Sequence, residues 1–230
     1  MPTLAATRRR MLMGLGAALA GCAVWRPADD RILELPSGRA IDRAALLQAL
    51  RGADLVLLGE QHDNPHHHQR RGQLLADLGP AAVVLAEHMP ATAQVGAAGN
   101  VEARLAAAGF DARAWQWPVH RPLFAAVLDG GLLLRGANAD IGLVRRVSRE
   151  GEAALPAPWR ERLAAAPLPA AAQASLDRDL VDGHCGHLSA ARLPAMRLAQ
   201  RLRDATMAQA MLDAGGRPAV LVAGNGHVRL

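Results

Sequence analysis

The sequence contains no lysine and no tyrosine, and it has only two phenylalanines. Without lysine or tyrosine no side chain titrates near pH 10, so arginine alone sets the high isoelectric point. The arginines are scattered along the chain and are not interleaved with aromatic residues, as they would be in a protein that binds single-stranded nucleic acid. A nucleic-acid partner is therefore not expected.

Cysteine is also scarce, because the chain has only two. The segment Leu-Ala-Gly-Cys at residues 19–22 looks like the bacterial lipobox, and it follows three arginines at 8–10 and an apolar stretch too short to span a bilayer. Residues 1–21 are therefore predicted to be a lipoprotein signal peptide, Cys22 the lipidated residue and 22–30 a tether. Cys185 is then the only free thiol, so no intrachain disulfide is expected.

The N-terminal arginines also bear on net charge and export. Residues 1–21 carry three arginines and no acids, so the formal charge of +5 falls to +2 in the mature chain. The arginines match either an ordinary signal peptide or a twin-arginine signal, which leaves the export route open. The mature part is long enough for one domain with a substantial core.

The most informative segment joins an apolar run to the start of a helix. Leu55–Leu58 is typical of a strand that is buried on both faces of a parallel sheet. Gly59 ends the run, and Asn64 before a proline predicts the N-cap of a helix over 65–78. Glu60 and His62 lie on the turn between strand and helix, which is where open α/β sheets bind ligands.

The same pattern recurs three times further along the chain. Apolar runs at 83–86, 132–134 and 219–222 each lead to a carboxylate, imidazole or amide. With the first turn, these side chains are Glu60, His62, Glu87, His88, Asn138 and His227. If the strands are parallel neighbours, the side chains other than His88 converge on one edge of the sheet. The pattern predicts an α/β fold with a mostly parallel central sheet, helices on both faces and a small N-terminal β-hairpin.

The remaining elements follow from apolar spacing and turn residues. We predict a hairpin over 32–42, a helix over 44–50, and further helices over 101–108, 159–166 and 193–212. Residues 155–169 are rich in proline and are expected to be mainly a connection. The methionines of the long last helix are expected in the core. Residues 31–230 are expected to form a single domain.

Several candidate residues also have structural explanations. Glu60 and His62 could simply cap a turn, but a buried charge is rarely kept for packing alone, so a functional role is favoured. Of the three histidines at 66–68, at most the first can lie above His62, one helical turn away. His88 could be a core histidine. The segment His-Cys-Gly-His at 184–187 could hold a soft metal or contain an inert cysteine.

Three motifs together resemble the ChaN family of haem-binding bacterial lipoproteins. They are Leu-Leu-Gly-Glu-Gln-His-Asp-Asn-Pro at 57–65 with the two histidines after it, His-Cys-Gly at 184–186, and Gly-Asn-Gly-His-Val-Arg at 224–229. The resemblance spans nearly the whole mature chain. It implies an α/β fold, an outer-membrane lipoprotein, haem binding linked to iron acquisition, and a dimer that encloses the haem. It also implies a longer C-terminal part than this chain has.

The resemblance further implies an iron ligand. Relatives ligate haem iron through a tyrosine, and His120 stands where relatives often carry that residue, two positions before Pro122. A neutral imidazole is a competent axial ligand, so His120 is the expected one. Trp115, Trp117 and Phe124 would form either a flat apolar slot for the porphyrin or part of the core. The other expected haem contacts are His62, His88, Trp117, Asn138 and His227.

A second hypothesis is a hydrolase. The pair Gly-Glu-x-His and Gly-x-Gly-His is similar, more distantly, to the Tiki, TraB and erythromycin-esterase-like group, which includes metal-dependent hydrolases. In this hypothesis Glu60, His62 and His227 hold a divalent metal that activates water, with Glu87 as a ligand or general base. It ranks second because the sequence identifies no nucleophile or substrate pocket, so enzymatic activity is not the favoured expectation.

Overall fold

The structure is a computed structural model that describes residues 31–228. The predicted signal peptide, Cys22 and the tether lie outside the described residues. The chain divides into two compact units, with the boundary between Ile41 and Asp42.

The first unit contains the predicted hairpin. Strands β1 (Ile32–Glu34) and β2 (Arg39–Ile41) pair antiparallel. The turn between them includes Gly38 at φ +69°, a left-handed conformation that glycine adopts without a steric penalty. An exposed ion pair of 2.9 Å joins Arg39 to Glu34 across the turn.

The second unit is built on a four-stranded parallel sheet in the order β3-β6-β4-β5. The strands are β3 (Leu55–Glu60), β4 (Val83–Pro90), β5 (Leu133–Asn138) and β6 (Ala219–Gly224). Because the strands are parallel, their carboxyl ends meet at one edge, where Glu60 pairs in register with Gly224. The α/β fold with a parallel sheet is confirmed.

Helices cover both faces of the sheet. They are α1 (Arg43–Gly52), α2 (Pro65–Leu78), α3 (Val101–Ala107), α4 (Arg121–Asp129), α5 (Ile141–Glu150), α6 (Ala157–Ala165), α7 (Ala170–Gly183) and α8 (Leu193–Leu212). Helices α2 and α4 pack on one face against Val84, Val220 and Val222. Helix α8 packs on the other face, where Met207 and Met211 are buried as predicted.

Local signals explain some helix boundaries. The predicted N-cap at Asn64 is confirmed, because its side chain accepts a hydrogen bond from the backbone N–H of His66 at 3.0 Å. Helix α6 confirms the helix predicted over 159–166, although the proline-rich segment around it was expected to be mainly a connection. Its Pro158 occupies the first turn, where a proline is tolerated. Helices α4, α5 and α7 were not predicted.

The prediction that the first strand of the sheet is buried on both faces is wrong. Leu55 is 43% exposed and Leu57 is 47% exposed, whereas Val56 between them is buried. Strand β3 is an edge strand, and side chains along a strand alternate between the two faces of the sheet. Within residues 31–228, no helix is both long and apolar enough to cross a membrane.

Candidate functional site

The carboxyl edge of the sheet collects the candidate ligands from three parts of the chain. Glu60 is the last residue of β3, and His62 follows two residues later. His88 lies in β4, and His120 immediately precedes α4. The ligand atoms of these four side chains all lie within 4.8 Å of one another. We call this group the Glu60 cluster.

One carboxylate oxygen is the centre of the Glu60 cluster. Oε1 of Glu60 lies 2.7 Å from Nδ1 of His62, 3.3 Å from Nε2 of His88 and 3.5 Å from Nε2 of His120. Three of the four residues are almost completely buried, and only His62 has an exposed side chain. Three imidazoles therefore surround a single buried oxygen atom.

Two of these imidazoles lack the hydrogen bonds that burial normally demands. Nε2 of His88 and Nε2 of His120 approach Glu60 without forming an aligned hydrogen bond, and no other described residue supplies one. Burying a polar group without a partner costs free energy, so such groups are rare in folded proteins. The arrangement indicates a site that is completed by something other than protein.

The second oxygen of Glu60 has protein partners of its own. The guanidinium of Arg71 is in direct contact with Oε2, and Nδ1 of His68 lies 3.2 Å from the same atom. Arg71 also donates to the carbonyl of Leu58 at 3.1 Å. Because Arg71 is itself buried, its pKa falls to about 9. The positive charge that faces Glu60 therefore lies next to Oε2, and Oε1 faces the imidazoles.

Among the three consecutive histidines, the structure selects a different one from the sequence. We expected His66 to be the member nearest the site, but His66 is exposed and His68 is fully buried. Nε2 of His68 lies 2.9 Å from the carbonyl oxygen of His62. Residues at positions i and i+3 share one face of a helix, which places His68 and Arg71 together beside Glu60.

Burial also decides the protonation of the cluster histidines. It lowers the pKa of His120 to about 3 and the pKa of His88 well below its usual value, because a charged imidazole is poorly solvated there. The pKa of His62 is lowered by burial as well. Near neutral pH these rings are uncharged, and a neutral imidazole offers a lone pair to a metal ion.

A second polar network lies on the other face of β4, because Glu87 and His88 are consecutive and point in opposite directions. Glu87 accepts from Arg203 at 2.5 Å and from the backbone N–H of Gly224 at 2.7 Å, and it lies 3.2 Å from Nε2 of His227. Nδ1 of His227 lies 2.5 Å from Asp204. We call Glu87, Arg203, Asp204 and His227 the Glu87 network.

The Glu87 network consists of paired charges. Burial raises the pKa of Glu87, but its partners have the larger opposite effect and hold that pKa far below its usual value. These partners are His227, through its hydrogen bond and charge, Arg203, through its charge, and the backbone N–H of Gly224. Burial lowers the pKa of His227, yet Asp204 and Glu87 raise it to about 9. His227 is therefore charged at neutral pH and has no lone pair for a metal. A carboxylate of such low basicity is also a poor general base.

These facts change the predicted metal set of Glu60, His62 and His227. Glu60 and His62 do lie together, but His227 is not among the converging ligand atoms of the described residues, because Asp204 and Glu87 bind its ring. His88 and His120 complete the group in its place. Asn138 supports the network rather than facing a ligand, since it donates to the backbone carbonyl of Glu87 at 2.8 Å.

His62 connects the two networks and is the exposed part of the site. Its Nδ1 contacts Glu60, and its Nε2 lies 4.0 Å from Oε2 of Glu87. A β-carbon at Gly224 would lie 2.6 Å from that Nε2, so glycine is required for the close approach. The side chain of His62 is 43% exposed.

Aromatic rings line the cluster on the side of α4. The ring of Trp115 lies 5.0 Å from that of His62 and 4.3 Å from that of His88. Phe124 is fully buried and belongs to the core, whereas Trp115 and Trp117 are half-buried. Trp117 packs against Phe110, with 5.6 Å between the ring centroids. Of the three aromatic residues predicted to form a flat slot, Trp115 is the one that packs against both His62 and His88.

Several residues in or beside the Glu60 cluster and the Glu87 network have no clear signal in the sequence. Arg71 and Arg203 were not predicted, because arginines on helices are usually solvated. Asp204 and Phe110 were not predicted, because they belong to no recognisable motif. The other candidate, at 184–187, does not join the site: Cys185 is exposed, and Nδ1 of His184 bonds to the carbonyl of Leu180.

Comparisons with known proteins agree with the fold. A family model described as haem-binding uptake, Tiki superfamily, ChaN matches residues 46–230. The solved structure of ChaN of Campylobacter jejuni, which is described as showing cofacial haem binding, superposes with a TM-score of 0.66 at 17% sequence identity. The match covers 84% of this chain and 79% of that chain. No curated protein matches the sequence.

Proposed function

The chain belongs to the ChaN family of haem-binding uptake proteins, and from that membership we propose that it binds haem as a cargo for iron acquisition. The single observation that carries the proposal is the family match over residues 46–230, which includes the whole Glu60 cluster. The neighbour from Campylobacter jejuni, described as binding haem cofacially, supports it.

The residues present suit haem at His62 better than at His120. A haem iron ligand must face a space large enough for the flat macrocycle around the iron. His120 is 1% exposed, and its Nε2 faces Glu60. His62 is the cluster histidine with an exposed side chain. We therefore place the axial ligand at His62.

Trp115 supplies the second feature that a porphyrin requires. Its half-buried ring lies edge to face with His62 at 5.0 Å, so an apolar surface adjoins the iron ligand. Aromatic rings stack well on flat π systems and contribute a large apolar area. Trp117 extends the same aromatic side through Phe110.

A hemin titration of the full-length chain in detergent tests the proposal. A saturable Soret shift is expected, and it should weaken strongly in His62→Ala while persisting in His120→Ala. His187→Ala, which removes an exposed histidine outside the cluster, is the matched control. A wild-type titration without a Soret shift would refute haem binding. Loss in His120→Ala but not in His62→Ala would refute the ligand assignment.

The location of the protein is part of the proposal. Lipidation at Cys22 would anchor the domain to the outer membrane, where it could receive haem from outside the cell. Labelling cells with an alkyne fatty acid should mark the wild-type chain and not Cys22→Ala. Membrane fractionation of the same cells would locate the protein, and light scattering with and without hemin would test the expected homodimer.

The geometry supports hydrolysis less well than binding. The proposed general base, Glu87, is held in ion pairs that make it weakly basic, and the proposed ligand His227 is charged. Haem binding therefore remains the function that the residues support best.

A further inference from the structure

We propose that Glu60, His62, His88 and His120 form a binding site for one divalent first-row transition-metal ion, distinct from the iron of haem. The site would have one carboxylate oxygen and three imidazole nitrogens. The proposal rests on the contacts of the cluster and does not depend on haem binding.

The distances from Glu60 to two of the imidazoles match those between neighbouring ligands in a tetrahedral site. Zinc lies about 2.0–2.1 Å from nitrogen and oxygen ligands, which places the ligand atoms roughly 3.3 Å apart around a tetrahedral ion. Oε1 of Glu60 lies 3.3 Å from Nε2 of His88 and 3.5 Å from Nε2 of His120. Its contact with Nδ1 of His62 is shorter, at 2.7 Å, which is a hydrogen-bond distance.

A metal ion would also supply the partners that the buried imidazoles lack. Nε2 of His88 and Nε2 of His120 point toward Glu60, and both side chains are at least 99% buried. Neither atom is hydrogen-bonded within residues 31–228. An ion bound to Oε1 would satisfy both lone pairs at once, whereas a single carboxylate oxygen cannot align with three ring N–H groups from these directions.

The surroundings of Glu60 hold its carboxylate in the orientation that a metal needs. Arg71 and His68 both contact Oε2, which leaves Oε1 free to face the three imidazoles. Partners of this kind fix the orientation of ligating groups in known metal sites and tune the affinity. They also favour one-oxygen coordination by Glu60.

The ligand chemistry restricts the choice of ion. Imidazole suits zinc, iron, cobalt, nickel and copper, whereas magnesium and calcium prefer sites made of oxygen ligands alone. The cluster contains no sulfur ligand, so soft ions have no particular advantage. His62 is the ligand with an exposed side chain, so an ion would enter the site from the solvent beside His62.

Cobalt is the probe for the first experiment. The full-length chain in detergent, free of haem and stripped with a chelator, would be titrated with Co²⁺ while the visible d–d bands are recorded. The expected result is saturation at one ion per chain with the intense spectrum of a four-coordinate site. X-ray absorption of the zinc-loaded wild type should show three imidazoles. A wild-type chain without a saturable cobalt spectrum would overturn the proposal.

Variants assign the ligands. His88→Ala and His120→Ala should each weaken cobalt binding by at least roughly tenfold, whereas His187→Ala should leave it unchanged. Circular dichroism of the same variants checks that they are folded, and hemin titration separates the two proposals, because the haem ligand is placed at His62. Unchanged cobalt affinity in both cluster variants would refute the site. If a variant fails to fold, the imidazole count in the wild type decides.

Discussion

Acidification should destabilise the metal-free protein through its buried histidines. In the unfolded chain His120 binds a proton near pH 6.5, whereas burial in the native state lowers its pKa to about 3. Between these values the unfolded state holds more protons than the native state. The free energy of unfolding must therefore fall as the pH falls below 6.5, and the loss ends near pH 3.

The size of the effect follows from the shift. Each pH unit in this window is worth about 1.4 kcal/mol per proton, so His120 alone should lower the free energy of unfolding by about 2 kcal/mol between pH 7 and pH 5. The pKa of His88 is also lowered well below its usual value, and those of His68 and His62 are lowered too, so the total loss should be larger. His227 has the opposite sign, but it acts between pH 6.5 and about 9.

Urea denaturation at several pH values, in the presence of a chelator, measures the effect. The free energy of unfolding of the wild type should fall by more than about 2 kcal/mol from pH 7 to pH 5, and His120→Gln should lose about 2 kcal/mol less over the same interval. His187→Gln, an exposed substitution, should follow the wild type. A wild-type stability that does not change over this interval, or an identical slope in His120→Gln, would refute the reasoning.

Three further predictions concern the neighbouring network. Gly224→Ala should weaken both hemin and cobalt binding, because its β-carbon would lie 2.6 Å from Nε2 of His62. Gly226→Ala is the control: its β-carbon would meet nothing within 4 Å, so this variant should bind hemin and cobalt normally. Because the pKa of His227 is raised to about 9, stability should decline by roughly 2 kcal/mol from pH 7 to 8.5 in urea denaturation, and His227→Gln should remove that decline. Arg203→Met removes one of the two cations that pair with the buried carboxylate of Glu87, and it should cost roughly 2 kcal/mol in the same assay. Arg43→Met, which removes an exposed ion pair, should cost less than about 1 kcal/mol.

The sheet was predictable because each strand is short, apolar and followed by a polar residue. Apolar runs located all four parallel strands, but they gave the carboxyl ends too early. Strand β3 extends to Glu60 because backbone pairing with Gly224 does not depend on side-chain polarity. The exposure of Leu55 and Leu57 could not be predicted, since strand order decides which strand is at an edge.

Only part of the site was predictable, because some of its contacts join residues that are far apart in the sequence. Glu60 and His62 are linked by the chain, so their closeness is local. His120 was predicted as the axial haem ligand, but its burial depends on how α4 packs against α2, which periodicity does not reveal. Arg203 reaches Glu87 across 116 positions of sequence, and no local pattern records such a contact.

Haem and the proposed metal ion should compete, because both would use His62. A neutral imidazole has one lone pair and one N–H, so a metal bound at Nδ1 leaves the proton on Nε2 and removes that nitrogen as an iron ligand. Zinc-loaded wild type should therefore bind hemin more weakly, and hemin should weaken zinc binding by the same factor, since coupling between two ligands is reciprocal. His88→Ala provides the control, because a chain with weakened zinc binding should show a smaller effect of the same zinc concentration on its hemin affinity. Equal hemin affinity of zinc-loaded and zinc-free wild type would mean that His62 does not serve both ligands.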